Sequence, residues 1–258
     1  MSQYIIPLFL TLMAGLCTGI GSLFAFFVKG EQKKFLSYCL GFSAGVMIYV
    51  SMIEIFQKGW VALAVIYGEK QGLLMTMVGF FSGMFFISFV DNLIPQVPQT
   101  ELSPDGDKEK MLRSGLFTAL AIGLHNFPEG LATFVSALQD PQVAIPIVVA
   151  IAIHNIPEGI AVSVPIYYAT GDKKKALFYS FLSGLSEPIG AIVGFSLLLP
   201  FMNDAVYGAL FAFVAGIMVF ISMDELLPSA RNHGHENLSI WGAVSGMMLM
   251  GVSLWLFL

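Results

Sequence analysis

The sequence predicts an all-α membrane protein of eight transmembrane helices, with helices 1–3 and 6–8 forming an inverted repeat around a central helix 4–5 pair. Three observations predict it. Of 258 residues, 57% are apolar and 11% charged, and the mean hydropathy is +0.80, whereas a soluble domain carries about 25% charged residues. The apolar runs are too long for barrel strands and long enough for helices crossing a bilayer, which takes about 20 residues. Finally, two passages of the sequence recur, one of them in opposite topology.

The spans follow in order. The first, Tyr4–Val28, has neither a basic segment ahead of it nor a small-residue cleavage site, so it reads as a retained helix and not a removed leader. The second is Phe35–Phe56 and the third Gly72–Ile94. Pro95–Met111 is Pro- and acid-rich and reads as a flexible cytoplasmic loop without His. The fourth and fifth spans are Leu112–Leu138 and Val143–Ala169. The sixth is Ala176–Leu199, the seventh Ala205–Leu227 and the eighth Leu238–Leu258. Residues 1–258 thus form one transmembrane domain. Ten of the twelve basic residues (Lys29, Lys33, Lys34, Lys108, Lys110, Arg113, Lys173, Lys174, Lys175 and Arg231) fall on one side of these spans, and only Lys58 and Lys70 on the other. The richer side faces the cytoplasm, which leaves both termini outside.

Phe42–Glu54 in the second span matches Phe213–Glu225 in the seventh, with seven of thirteen positions identical and four more exchanged like for like. The loop charges run these two helices in opposite directions. Inverted repeats around a site near the bilayer midplane mark transporters. Small-residue faces such as Gly41/Gly45 permit close packing within one chain or between two, as in a homodimer. Cys17 and Cys39 lie within apolar spans and read as small core residues.

His125-Asn126-Phe127-Pro128-Glu129-Gly130 and His154-Asn155-Ile156-Pro157-Glu158-Gly159 are one hexapeptide written twice. His and Glu four apart share a helix face. The Pro between them deprives the carbonyl of Leu124 or Ile153 of its usual donor. Imidazole with carboxylate is a ligand set for divalent metals.

Charge supplies the physical argument. Glu54, Asp91, Glu129, Glu158, Glu187, Asp224 and Glu225 fall within or at the ends of spans, and no Lys or Arg is read deep inside one. An ionised acid at a helix midpoint costs about 2.5–3.5 kcal/mol on insertion scales. Protons or a bound cation must compensate Glu129, Glu158 and Glu187. The two His favour a transition metal over an alkali ion. Asn126 and Asn155 read either as ligands or as bonds between helices. Met47 and Met218 are soft donors that also suit core packing. Glu54, Asp91, Asp224 and Glu225 line a route or are solvated end residues, and His233 and His235 offer an acceptor at the cytoplasmic side.

On these residues the chain closely resembles the ZIP (Zrt- and Irt-like) divalent-metal transporters, nearest their bacterial zinc-transporting branch. The resemblance covers the whole chain, and the duplicated motif is highly specific. It implies two inverted three-helix repeats around helices 4 and 5 and a metal site that can be dinuclear. His125, Glu129, His154 and Glu158 would hold one ion. Asn126, Glu129, Asn155, Glu158 and Glu187 would hold the second, with Met47 as an additional ligand. The His-rich loop of eukaryotic members is missing. The expected activity is uptake of Zn²⁺, with Fe²⁺, Mn²⁺, Co²⁺ and Cd²⁺ as further cargo, across a bacterial inner membrane. No catalytic residue, resident cofactor or nucleic-acid partner is expected. The competing readings are an intramembrane metalloenzyme using a metal-activated water, and a passive metal channel.

Overall fold

The computed structural model describes residues 2–25, 32–93, 106–139, 141–232 and 235–256. Among them it is built of helices and the turns joining them, with no strand. Helix α1 spans Ser2–Ala25 and α2 Gln32–Val50. The second span does not stop at Phe56. A π-helical turn at Ser51–Ile55 leads directly into α3, Phe56–Tyr67, so one helical path of 35 residues runs from Lys33 to Tyr67. Gly59, a breaker in the sequence, lies inside this path. A Cβ there would stand 2.9 Å from the Gly208 carbonyl oxygen, so the residue serves close helix approach and not a turn. The turn falls at Gly68, whose φ of 82° suits glycine alone among ordinary residues. Helix α4, Glu69–Leu93, follows at once.

Helix α5 spans Gly106–Gln139, beginning six residues before the expected Leu112. Residues 106–111 are therefore helical and not part of a loop. Helix α6 is Pro141–Thr170, closed by Gly171 at φ 66°. Asp172 then caps α7, Lys173–Gly184, its carboxylate accepting from the N–H groups of Lys174 and Lys175 at 2.9 and 3.2 Å. The sixth span is broken at Leu185 before α8, Ser186–Leu198, because Pro188 has no N–H for the Gly184 carbonyl. Helix α9, Asp204–Ile221, passes through a second π-turn, Ser222–Leu226, into α10, Leu227–Asn232. Helix α11 is Glu236–Leu256.

Seven helical stretches among the described residues are long and apolar enough to cross a membrane. Helix α5 is as long, with His125, Asn126, Pro128 and Glu129 making its centre polar. The two π-turns occupy matching places in the repeated text, Ser51–Ile55 and Ser222–Leu226. Each is closed by an i to i+5 bond, from Phe56 N–H to the Ser51 carbonyl and from Leu227 N–H to the Ser222 carbonyl. Such turns concentrate at functional sites.

The helices sort into two groups by what they touch. Helices α1, α5, α6, α7 and α8 pack on one another; of the rest, α3, α4 and α9 pack on one another, and α11 packs on α2, which joins them at the two π-turns and also borders α6. Within each group glycines bring backbones together. Gly41 and Gly45 of α2 face the backbone of Ser239 and Ala243 in α11, so this face is used inside the chain. Gly83 meets Phe213, and Gly216 meets Phe80, between α4 and α9. Gly15 and Gly184 face each other between α1 and α7. The groups meet differently. Where α2 crosses α6, Leu36, Cys39, Ile160 and Val164 form an apolar cluster of side chains.

Candidate metal centre

The duplicated hexapeptides run through the middles of α5 and α6, which continue as helices across Pro128 and Pro157. Asn126, Glu129, His154, Asn155 and Glu158 are all buried, none more than 1% exposed. Glu187, in the first turn of α8, is fully buried as well. Three hydrophilic helix segments thus turn inward together. They belong to the α1–α5–α6–α7–α8 group, although α2 borders them.

The contacts cross between the motif copies. His154 Nε2 lies 3.2 Å from Glu129 Oε1, joining α6 to α5. The Asn155 amide donates to Glu187 Oε1 and, at 2.9 Å, to the backbone carbonyl of Ala14, tying α6 to α8 and α1. Glu129 and Glu158 both lie within electrostatic reach of Glu187. From the second group, Ser43 of α2 donates to the His154 carbonyl at 3.3 Å. Met47, one helical turn further on, is fully buried.

The terminal glycine of each hexapeptide has a role that sequence reading left unassigned. A Cβ on Gly130 would run into the backbone of Glu187, and one on Gly159 into the backbone of Thr18. Gly190 likewise meets the Phe127 backbone. These contacts set α8 directly against α5, which is why Glu187 reaches the cluster. The signal was the invariance of Gly between the two copies, but only the fold shows which helix each glycine admits.

Several buried polar atoms here lack a hydrogen-bond partner: both amide atoms of Asn126, Glu129 Oε2, Asn155 Oδ1 and Glu187 Oε2. Leaving such an atom unmet costs about 1–3 kcal/mol. No Lys or Arg occurs between Arg113 and Lys173, or between Lys175 and Arg231. The cluster is therefore oxygen- and nitrogen-rich, buried, and drawn from stretches without Lys or Arg. Among the described residues, no three His, Cys, Asp or Glu side chains stand in ion-holding geometry. His125 lies on α5, and its side chain is outside the described residues.

The outlying candidates fall elsewhere. Asp91, Leu124 and Glu225 line a small cavity of about 10 Å³ with Ile87, Val90, Phe220 and Ile221. Asp224 acts on Asp91 electrostatically from the same π-turn as Glu225. Leu124 adjoins His125, so this acidic end abuts the hexapeptide of α5. His235 lines an open cleft with Arg231 and Glu236. Its carbonyl accepts from Leu238 N–H at 3.0 Å and from the Ser37 hydroxyl at 3.0 Å, which starts α11 and fastens it to α2. His233 is outside the described residues.

Glu54 requires a correction. It is not an end residue: thirteen residues of helix follow it before Gly68, about 20 Å at 1.5 Å per residue. Lys58 lies in the same helical path, and its Nζ is 2.7 Å from Glu54 Oε1. The sequence reading placed Lys58 in a loop beyond the second span, because Gly59 made the segment look like a turn; it lies instead on the continuous helical path.

Fold and site together define an integral membrane protein, all helical, with a buried centre of paired imidazole, amide and carboxylate groups. Comparison with known proteins agrees with that description. A family model described as ZIP Zinc transporter matches residues 98–254. The chain is 60% identical over 264 residues to a "Zinc transporter ZupT" of Streptococcus mutans, covering all of both chains. It is 55% identical to the protein of that name from Oceanobacillus iheyensis, covering 98% of each chain. For the Clostridium perfringens protein the identity is 53%, over 100% of this chain and 98% of the other. The chain belongs to the ZIP family of zinc transporters.

Proposed function

We propose that this protein takes up divalent transition-metal ions, Zn²⁺ first among them, and carries them into the cytoplasm through the centre on α5, α6 and α8. The observation that carries this reading is the buried cluster of Asn126, Glu129, His154, Asn155, Glu158 and Glu187, rich in carboxyl groups and drawn from stretches without Lys or Arg. A multivalent cation satisfies both the charge and the orphaned amide and carboxylate oxygens. Relatives that share more than half of the residues bear the name zinc transporter. His125, Glu129, His154 and Glu158 would hold one ion. Asn126, Asn155 and Glu187, sharing Glu129 and Glu158, would hold a second, with Met47 at the border. Iron, manganese, cobalt and cadmium ions fit the same donors.

The uneven distribution of Lys and Arg supports a cytoplasmic side at the α1–α2, α4–α5, α6–α7 and α10–α11 junctions and both termini outside. The bacterial origin of the relatives supports the cytoplasmic membrane. Metal would arrive past Glu54 and leave past Asp91, Asp224 and Glu225. The paired π-turns and the exchange of α2–α11 for α4–α9 packing support the inverted repeat. The two helix groups support alternating exposure. The centre belongs to one group, and α2 meets it through side chains, with no glycine-mediated backbone contact to α6 among the described residues.

The test is zinc uptake by proteoliposomes containing the purified chain, against empty liposomes and against His154→Ala. Saturable flux that His154→Ala abolishes is the expected result. Flux equal to that of empty vesicles would overturn the reading, and flux that rises linearly with zinc would favour a channel.

A further inference from the structure

At Glu54 the structure places a lysine ammonium against a carboxylate within an apolar helical path. Glu54 and Lys58 are one turn apart, 2.7 Å between charged atoms, with side chains 22% and 20% exposed. The π-turn that holds Glu54 precedes Lys58 directly, and the matching π-turn of α9–α10 carries Asp224 and Glu225 but no Lys four residues on. In the repeat, Lys58 corresponds to Ser229. Tyr207 of α9, itself buried, also lies within electrostatic reach of Glu54. Near Tyr207 lies Ser136 of α5, two turns of helix beyond Glu129. Glu54 thus stands at the far side from Asp91 and Glu225, where the proposed orientation puts the outside.

We propose that Lys58 is a specificity-determining residue of the outer mouth: its ammonium occupies Glu54 as a tethered monovalent cation, and an incoming ion must displace it. The physics is ion exchange. A free Na⁺ or K⁺ replacing the ammonium carries the same charge, so it gains no attraction and must still shed water. A divalent ion at the same distance gains twice the attraction. The tether makes Glu54 unrewarding for the abundant monovalent ions and keeps it available to divalent ones. It also keeps the carboxylate compensated when no metal is present, which a lone acid within a span would not be. The inference rests on the transport reading above.

The experiment measures zinc uptake by proteoliposomes containing wild type, Lys58→Met, Lys58→Arg, Glu54→Gln and the double variant, with potassium chloride varied at constant osmolarity. Lys58→Met is expected to lower the half-saturating zinc concentration about two- to fivefold, the range typical of a partly exposed ion pair. The effect should fall on that concentration and not on the maximal rate. Potassium should compete with zinc measurably better in Lys58→Met, and Lys58→Arg should restore wild-type behaviour. In the Glu54→Gln background, Lys58→Met should change nothing. Lys58→Gln serves where Lys58→Met does not insert. An unchanged or raised half-saturating concentration in Lys58→Met would overturn the proposal, as would an equal shift in the Glu54→Gln background. Absence of wild-type flux above the His154→Ala level would instead defeat the transport reading itself.

Discussion

Glu54 and the Glu129–Glu158–Glu187 group are both carboxylate sites inside apolar helices, but their surroundings differ. Glu54 has Lys58 at 2.7 Å and retains about a fifth of its exposure. The central three acids are at most 1% exposed and lie on helices with no Lys or Arg near mid-length. Their company is imidazole and amide: His154 on Glu129, Asn155 on Glu187. The difference separates two tasks. A site with its own basic partner is complete without cargo and must be opened by exchange. A site made only of acids, amides and imidazole is completed by what it binds, and its desolvation cost becomes selectivity for a small, highly charged ion.

The strongest way to break this contrast is to remove the anionic centre. Glu129→Ala with Glu158→Ala should reduce zinc uptake on the order of a hundredfold or more, since loss even of groups that merely orient ligands costs 10–100-fold. The protein should still insert and elute as a single species in detergent. Uptake near wild type would show that the cargo is held elsewhere.

A second contrast tests how the centre is assembled. Gly130→Ala drives a methyl group into the Glu187 backbone, whereas a Cβ on Gly123, two turns earlier on α5, would meet only Ser183 Cα at 3.9 Å. Overpacking of the first kind costs about 1–3 kcal/mol. Thermal unfolding in detergent should show Gly130→Ala clearly destabilised, with uptake reduced about tenfold because Glu187 is displaced. Gly123→Ala should stay within about 0.5 kcal/mol of wild type.

Protons provide a smaller perturbation of the same centre. Imidazole must be neutral and carboxylate ionised to bind metal. Acidification therefore adds protons to the free site and opposes binding, so the half-saturating zinc concentration should rise as pH falls. A several-fold rise between pH 7.5 and 6.0 is expected, read from uptake at matched pH on both faces of the vesicle. A flat or inverted profile would mean that the ligating groups are not these. The smallest effect is reserved for the seam between helix groups. Ser43→Ala removes one long hydrogen bond to the His154 carbonyl, 3.3 Å, and should change uptake by about twofold or less.

Legibility in the sequence followed the same division. The centre could be read because its evidence is local and repeated: two copies of one hexapeptide fix face, spacing and donor chemistry, and a buried acid without a base needs a cation wherever the helix is placed. Helix class was legible from hydropathy. What failed was everything decided by neighbours. Gly59 and Gly68 look alike in the chain, yet one admits Gly208 and the other turns the backbone at positive φ. That ambiguity ended the second span eleven residues early and hid Lys58. The break at Leu185 depends on Pro188, which was visible, but its consequence, Glu187 pressed against α5, depends on Gly130. The use of Gly41 and Gly45 against α11, and not between chains, was likewise a matter of which partner the fold supplies.

Zinc K-edge absorption on the purified, zinc-loaded protein tests the central claim most directly. The account predicts a first shell of nitrogen and oxygen at about 2.0–2.2 Å with an imidazole contribution. That signal should be lost in the His154→Ala, Glu158→Ala double variant and kept in Lys58→Met. A zinc signal that survives loss of His154 and Glu158, or no bound zinc in a wild type that still transports it, would contradict the account.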